Sequence, residues 1–217
     1  ANTARVYTIR KAREGNSKET NAGKKESVRE SKLGGLFLVG KKEEANLIVL
    51  KSDSANNPLF KEAYGKILED ARKNRAHVNE ENDHAIILFS PSLGNASEMN
   101  AVQFAQNAES ILKDYNKRAR EKVNFGISLN QGSIIAENDR GQFRFTSIGN
   151  IVSRGKKIAE TAKQNNELLL SDTIYKKVMA SVKCDKVSDD AWRINRIVQR
   201  DKYDSFIGKF MKRNDSP

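Results

Sequence analysis

The stretch VNFGISLNQGSIIAENDRGQFRFTSIGNIVSRGKKI, residues 123–158, constrains the fold more than any other part of this chain. FGISL and SIIAE are rich in strand-forming β-branched and apolar residues, and Asn130, Gln131 and Gly132 between them read as a tight turn. The polar loop ENDRGQ leads to a third strand at Phe143–Ser147. From Ile151 the apolar spacing changes from two to three-four, which predicts a helix to about Gln164. Strand, turn, strand, loop, strand and helix in that order require a sheet with a helix laid on it. Gly132 and Gly149 are expected to be turn glycines.

The flanking sequence extends this pattern. Asn46–Leu50 reads as a strand, and Pro58 suits the first turn of a helix capped by Asn56 or Asn57 and running to about Asn74. His77–Asn79 and His84–Phe89 read as a β-hairpin around the acidic turn Glu80, Glu81, Asn82, Asp83. A longer helix is expected from about Ser97 to Arg120, a strand at LLLSD, a short helix at DTIYKKVMA capped by Asp172, and a last strand at AWRINRIV. Two interleaved βαβ-like units predict an α+β, ferredoxin-like mixed sheet flanked by helices. Residues 1–32, polar and poor in large apolar side chains, are expected as a flexible basic tail, 33–200 as one domain, and 201–217 as a C-terminal helical tail.

Composition excludes several classes. At 217 residues the chain can bury a sizeable core. No apolar run approaches the roughly 20 residues a membrane span requires, so no membrane segment is expected and a cytoplasmic location is. The chain starts with Ala, not Met, as a soluble piece of a larger protein would. The single cysteine, Cys184, rules out an internal disulfide. A net charge of +11 invites a nucleic-acid reading. Yet residues 1–40 carry nine Lys or Arg interspersed with four Glu, and only two aromatic residues, Tyr7 and Phe37, too few for a row of stacking platforms. Specific nucleic-acid binding is therefore not expected, and any such binding should be sequence-independent and abolished by moderate salt.

VNFGISLNQG resembles the FGIGIHTG strand and turn of class III adenylate and guanylate cyclases, and FTSIGNIVSRGKKI resembles their YTVIGDTVNLAARL motif. The resemblance covers roughly residues 44–177. It implies two divalent metals, Mg or Mn, held by an aspartate ending the first strand and one in the following hairpin, which activate the ribose hydroxyl and polarise the α-phosphate. IVLKSD resembles VLFAD and puts Asp53 at the first metal position. ENDHAIILF resembles IGDAVLAVF and puts Asp83 at the second. Two hard carboxylates at neighbouring strand ends make chemical sense for such ions.

The remaining family positions hold other residues. The purine-selecting lysine falls on Asn79 and the second base-selecting position on Thr146. The ribose-positioning asparagine falls on Ser153, and the arginine that stabilises the pentavalent phosphate on Lys157. Lysine keeps the charge and loses the bidentate fork. Removing one preorganised donor to developing charge costs about 10²- to 10³-fold in rate, so three altered contacts should leave little turnover. Asp53 and Asp83 are also only 30 residues apart, with room for one helix where the family has two.

The resemblance thus implies a degenerate cyclase domain, a regulatory or nucleotide- or ligand-sensing module of signalling. Its expected partner is a second copy or another cyclase-like domain, with Phe143, Phe145 and Ile148 near the shared interface. A divergent cyclase using Asp53, Asp83 and Lys157 is the enzyme alternative, and a basic adaptor for nucleic acid or acidic lipid is the third. His77 and His84 bracket the acidic turn, where a soft-metal site is conceivable and plain surface histidines are the expectation.

Overall fold

The computed structural model describes residues 8–9, 31–33, 36–38, 40–53, 57–81, 83–139 and 142–198. The expected helical tail at 201–217 lies outside them, as does most of 1–32.

In chain order the elements are β1 (Thr8–Ile9), β2 (Ser31–Leu33), β3 (Leu36–Leu38), β4 (Lys41–Ser52), α1 (Pro58–Lys73), β5 (His77–Glu80) and β6 (His84–Phe89). A 3-10 turn, Pro91–Leu93, leads to α2 (Glu98–Arg118), β7 (Phe125–Asp139), β8 (Gln142–Ile148) and α3 (Ile151–Lys163). β9 (Leu168–Ser171), α4 (Asp172–Val178), β10 (Val182–Ser188) and β11 (Ala191–Ile197) follow. β2 and β3 pair with each other, and the other nine strands form one mixed sheet ordered β10-β11-β9-β7-β4-β6-β5. β8 pairs with the far half of β7, and β1 lies beside β8.

β4 is central because both its faces are apolar. Ile48 and Leu50 enter a core shared with Phe60, Ile67 and Leu68 of α1, Val102 and Leu112 of α2, and Ile174 of α4. Leu47 and Val49 point the other way, against Ile151, Val152 and Ala159 of α3. A strand covered on both faces reads as a continuous apolar run, as ANLIVL does. Asn57 caps α1 by accepting from the Leu59 and Phe60 amides, at 3.0 and 3.4 Å. Such a cap is worth about 1 kcal/mol.

The expected turn at Asn130–Gly132 does not exist. β7 runs straight through it, paired residue by residue with β4 from Phe125↔Ser52 to Ala136↔Lys41. The turn-prone side chains are held by buried partners. Asn130 Nδ2 donates to the Ile151 carbonyl at 3.0 Å, and its Oδ1 accepts from the Gln131 amide at 2.9 Å. Gln131 Nε2 in turn donates to Asn46 and Glu98, at 3.1 and 3.0 Å. Buried polar groups satisfied in this way cost little, and local turn propensity loses to twelve residues of ladder. Gly132 accordingly serves packing: a Cβ there would press on Ile151 of α3 at 3.2 Å. Gly149, with φ +77°, does occupy a turn.

Two further readings change. The cap of α4 is Ser171, whose hydroxyl accepts from the Ile174 amide, while Asp172 starts the helix and pairs with Lys176 at 2.7 Å. VKCDKVS, unassigned by its pattern, is the edge strand β10, whose charged residues suit an exposed sheet edge. None of the described helices is long and apolar enough to cross a membrane.

Candidate functional site

β4 and β6 end side by side, so the acidic turn after β5 sits next to the end of β4. Lys51 pairs with His84, and the Ser52 amide donates to the Asp83 carbonyl at 3.3 Å. Asp53 continues this end, its amide donating to the Asn124 carbonyl at 2.9 Å. The fold therefore brings Asp53 and Asp83 to one end of neighbouring strands, as the sequence resemblance requires.

Every carboxylate oxygen of the pair already has a partner. Asp53 Oδ1 accepts from Lys163 Nζ at 2.8 Å and Oδ2 from Asn124 Nδ2 at 3.0 Å. Asp83 Oδ1 accepts from His84 Nδ1 at 2.6 Å, and Oδ2 lies 3.5 Å from Lys51 Nζ. Glu160 of α3 joins the two lysines, accepting from Lys51 at 2.7 Å and lying 3.2 Å from Lys163. Asp53, Lys163, Glu160, Lys51 and Asp83 thus form one chain of alternating charge. The hydrogen bond from Lys163 holds the Asp53 carboxyl below its ordinary value, and that from His84 does the same for Asp83. Glu160 is lowered by Lys51 and Lys163, and Lys163 is raised by Asp53 and Glu160.

The helix that delivers Lys163 approaches β7 at Gly126. A Cβ at this position would overlap the Ala159 carbonyl oxygen and the backbone of Lys163. Only glycine lets the end of α3 lie so close, one residue from the strand end where Asp53 begins.

Divalent Mg or Mn at Asp53 and Asp83 would need these oxygens as ligands at about 2.0–2.6 Å. Ammonium, amide and imidazole groups hold them instead, and among the described residues no group of three or more His, Cys, Asp or Glu is arranged for a metal ion. The donor set present does not fit a two-metal centre.

Beside the turn, Phe60, Lys61 and Tyr64 of α1 and Ser52, Glu80, Asp83 and His84 of the sheet line a cleft of about 320 Å³. Burial, with Glu80 and Asp83 nearby, pushes the Tyr64 hydroxyl well above its usual range. His84, expected at the surface, is buried between Asp83 and Glu81, with Nε2 3.0 Å from Glu81 Oε2. His77 packs on aromatics: its ring lies 5.3 Å from Phe143 and 5.8 Å from Phe145, and burial lowers its basicity. β8 therefore curls back over the α3 face. Phe145 is buried in the chain's own core and so is not available for an interface as expected, while Phe143 packs against that core and stays half-buried.

The other positions lie apart from this charge chain. Asn79 sits half-buried on the edge strand β5, paired with Ile86, and Thr146 half-buried on β8, paired with Ile135. Ser153 and Lys157 are exposed on α3, one turn apart, and continue along the same stripe to Glu160. The Ser153 hydroxyl donates to the Asn150 carbonyl of its own helix at 3.2 Å. Sequence reasoning missed Lys51, Glu160 and Lys163, because solvent-facing Lys and Glu on a strand end and a helix are the commonest of surface residues.

No family model and no curated protein matches the sequence. Solved structures match the fold. The guanylyl cyclase domain of the RhoGC fusion protein from the aquatic fungus Blastocladiella emersonii, as a monomeric double mutant, superposes with a TM-score of 0.58 at 12% identity, over 74% of this chain and 99% of that one. The fold is that of a nucleotide cyclase domain. A dimeric form of the same fungal cyclase domain gives 0.56 at 14% identity, over 74% and 98% of the two chains. The guanylate cyclase domain of RhGC from Catenaria anguillulae, in complex with GTP, gives 0.55 at 14% identity, over 72% and 99%. At such identities the cyclase likeness is one of fold, and the chemistry rests on the side chains described above.

Proposed function

We propose that this chain is a non-catalytic, cyclase-like domain that pairs with a second cyclase-like domain and acts as a regulatory module in signalling. The observation that carries this reading is the content of the exposed α3 stripe. Ser153 spends its hydroxyl on its own helix, and Lys157 offers a single-point ammonium where the cyclase mechanism needs an amide and a guanidinium fork. Asn79 at the base-selecting position adds a third departure. Losses of about 10²- to 10³-fold per developing-charge contact leave no useful rate when several combine. The exposure of the stripe supports pairing, since a site built on a solvent-facing helix needs a second surface to close it.

The test is cyclic nucleotide formation from ATP and from GTP, with Mg²⁺ and with Mn²⁺. No product above background is expected. Robust turnover that disappears in Asp83→Ala overturns the proposal in favour of a divergent cyclase using Asp53, Asp83 and Lys157.

A further inference from the structure

We infer that Lys51 and Lys163 are the cations of this site: two side-chain ammonium groups have taken the place of two metal ions, and this end of the sheet takes up neither divalent metal nor a metal polyphosphate. The inference rests on the cyclase-like reading and deepens it.

Each lysine is fixed rather than waving in solvent. The side chains of Lys51 and Lys163 are only 18% and 24% exposed, and Glu160 holds both. Each also reaches one of the two aspartates, Lys163 at 2.8 Å and Lys51 at 3.5 Å. Their arrival is built into the backbone. Lys51 is paired across the ladder with Gly126, the residue whose missing side chain admits the end of α3 and hence Lys163. Both cations therefore depend on one local geometry.

Charge balance argues against a polyphosphate, and the tethered ammonium groups argue against a metal ion. Two divalent ions on two aspartates would leave a surplus of positive charge for a polyphosphate. Here Asp53, Asp83 and Glu160 face only two ammonium groups, which leaves a net negative charge. A polyphosphate meets repulsion, and a divalent ion must first displace an ammonium tethered to the same chain at high effective concentration.

The experiment is Mn²⁺ titration of the full chain, followed by electron paramagnetic resonance. The wild-type protein is expected to take up no Mn²⁺ dependent on Asp83. The double variant Lys51→Met, Lys163→Met exposes three carboxylates and should bind Mn²⁺ at least about tenfold more tightly, with the gain removed by Asp83→Asn in that background. Should the double variant fail to fold, Lys163→Met alone should show a smaller gain that Asp53→Asn removes. Mn²⁺ uptake by the wild type that is lost in Asp83→Asn overturns the inference. So does a folded lysine variant with no gain. Neither result touches the cyclase assay: turnover by the wild type defeats the pseudoenzyme reading, whereas Mn²⁺ uptake without turnover defeats only the replacement of metal by lysine.

Discussion

Lys163 Nζ lies 2.8 Å from Asp53 Oδ1, a contact that joins the end of α3 to the end of β4 across 110 residues of sequence. It forms because Gly126 on β7 presents no side chain to the helix, which lets the helix backbone settle on the strand. A single missing Cβ thereby decides which charges meet at the strand ends.

Gly126→Ala is accordingly expected to destabilise the protein by about 3 kcal/mol, because the atoms in the way are backbone, which cannot rotate aside. Urea unfolding measures this. The same variant should loosen Lys163 from Asp53, so the Asp53 carboxyl should titrate closer to its ordinary value of 3.8. Stability equal to wild type would show that α3 does not rest on β7 at this point.

The acid response has a definite sign. Asp53, lowered chiefly by the Lys163 hydrogen bond, and Asp83, lowered chiefly by that from His84, both have folded-state values below the ordinary 3.8. Groups lowered on folding stabilise fully above the unfolded value, and the contribution disappears as the pH falls through the folded one. The urea midpoint should therefore decline between about pH 5 and about pH 3, and decline less in Lys163→Met. Carboxyl carbon titration by NMR should show Asp53 rising in that variant while Asp83 hardly moves. Both aspartates titrating at or above 3.8 in the wild type would contradict the charge chain.

The buried seam through the middle of the sheet makes a third expectation. Asn130 accepts from the Gln131 amide and from Thr173, and donates to the Ile151 carbonyl. Asn130→Ala removes all three bonds at a buried position, with an expected cost of about 2–3 kcal/mol. Asn116, by contrast, is half-buried and holds the Val123 backbone with two bonds, and Asn116→Ala should cost about 1 kcal/mol. Chemical denaturation of the two variants distinguishes a fully buried seam from a half-buried contact.

Most of the fold could be read from the chain. ANLIVL and HAIILF announce covered strands, and the three-four spacing from Phe60 to Ala71 announces α1, since both patterns follow from which faces are buried; Leu59, expected on the same stripe, is exposed instead. The NQG segment misled, because Asn, Gln and Gly mark turns only when no buried partner claims them, and those partners lie on α2, α3 and β4. β10 was silent since an edge strand carries charges where a central one carries Val and Ile. At the site, the strand and hairpin pattern places the end of β4 beside the acidic turn, and the resemblance singles out Asp53 and Asp83 there. Their lysine partners were not: Lys163 reaches Asp53 through a helix packing distance, a quantity that no local spacing encodes.

The final expectation concerns pairing. A two-fold interface should use the exposed stripe of α3 that includes Ser153 and Lys157, and bury at least about 1,000 Å² in total. The curl of β8 over His77 removes Phe145 from that surface and leaves Phe143, Thr146 and Ile148 half-buried on β8. Sedimentation at about tens of micromolar, in the micromolar range of moderate interfaces, should then show a species twice the 24.4 kDa of the chain. A charge reversal on the stripe, Lys157→Glu, changes two charges of a symmetric interface at once, spoils its complementarity, and should weaken association by about tenfold or more. The same reversal at Lys73, exposed at the end of α1, should leave association unchanged. Because Lys157 is not part of the core, folding should survive the substitution, so lost dimer with intact circular dichroism speaks for the interface. A species that stays at 24.4 kDa under these conditions removes the homodimer and leaves pairing with a different cyclase-like domain, which mixing with such a domain then tests directly.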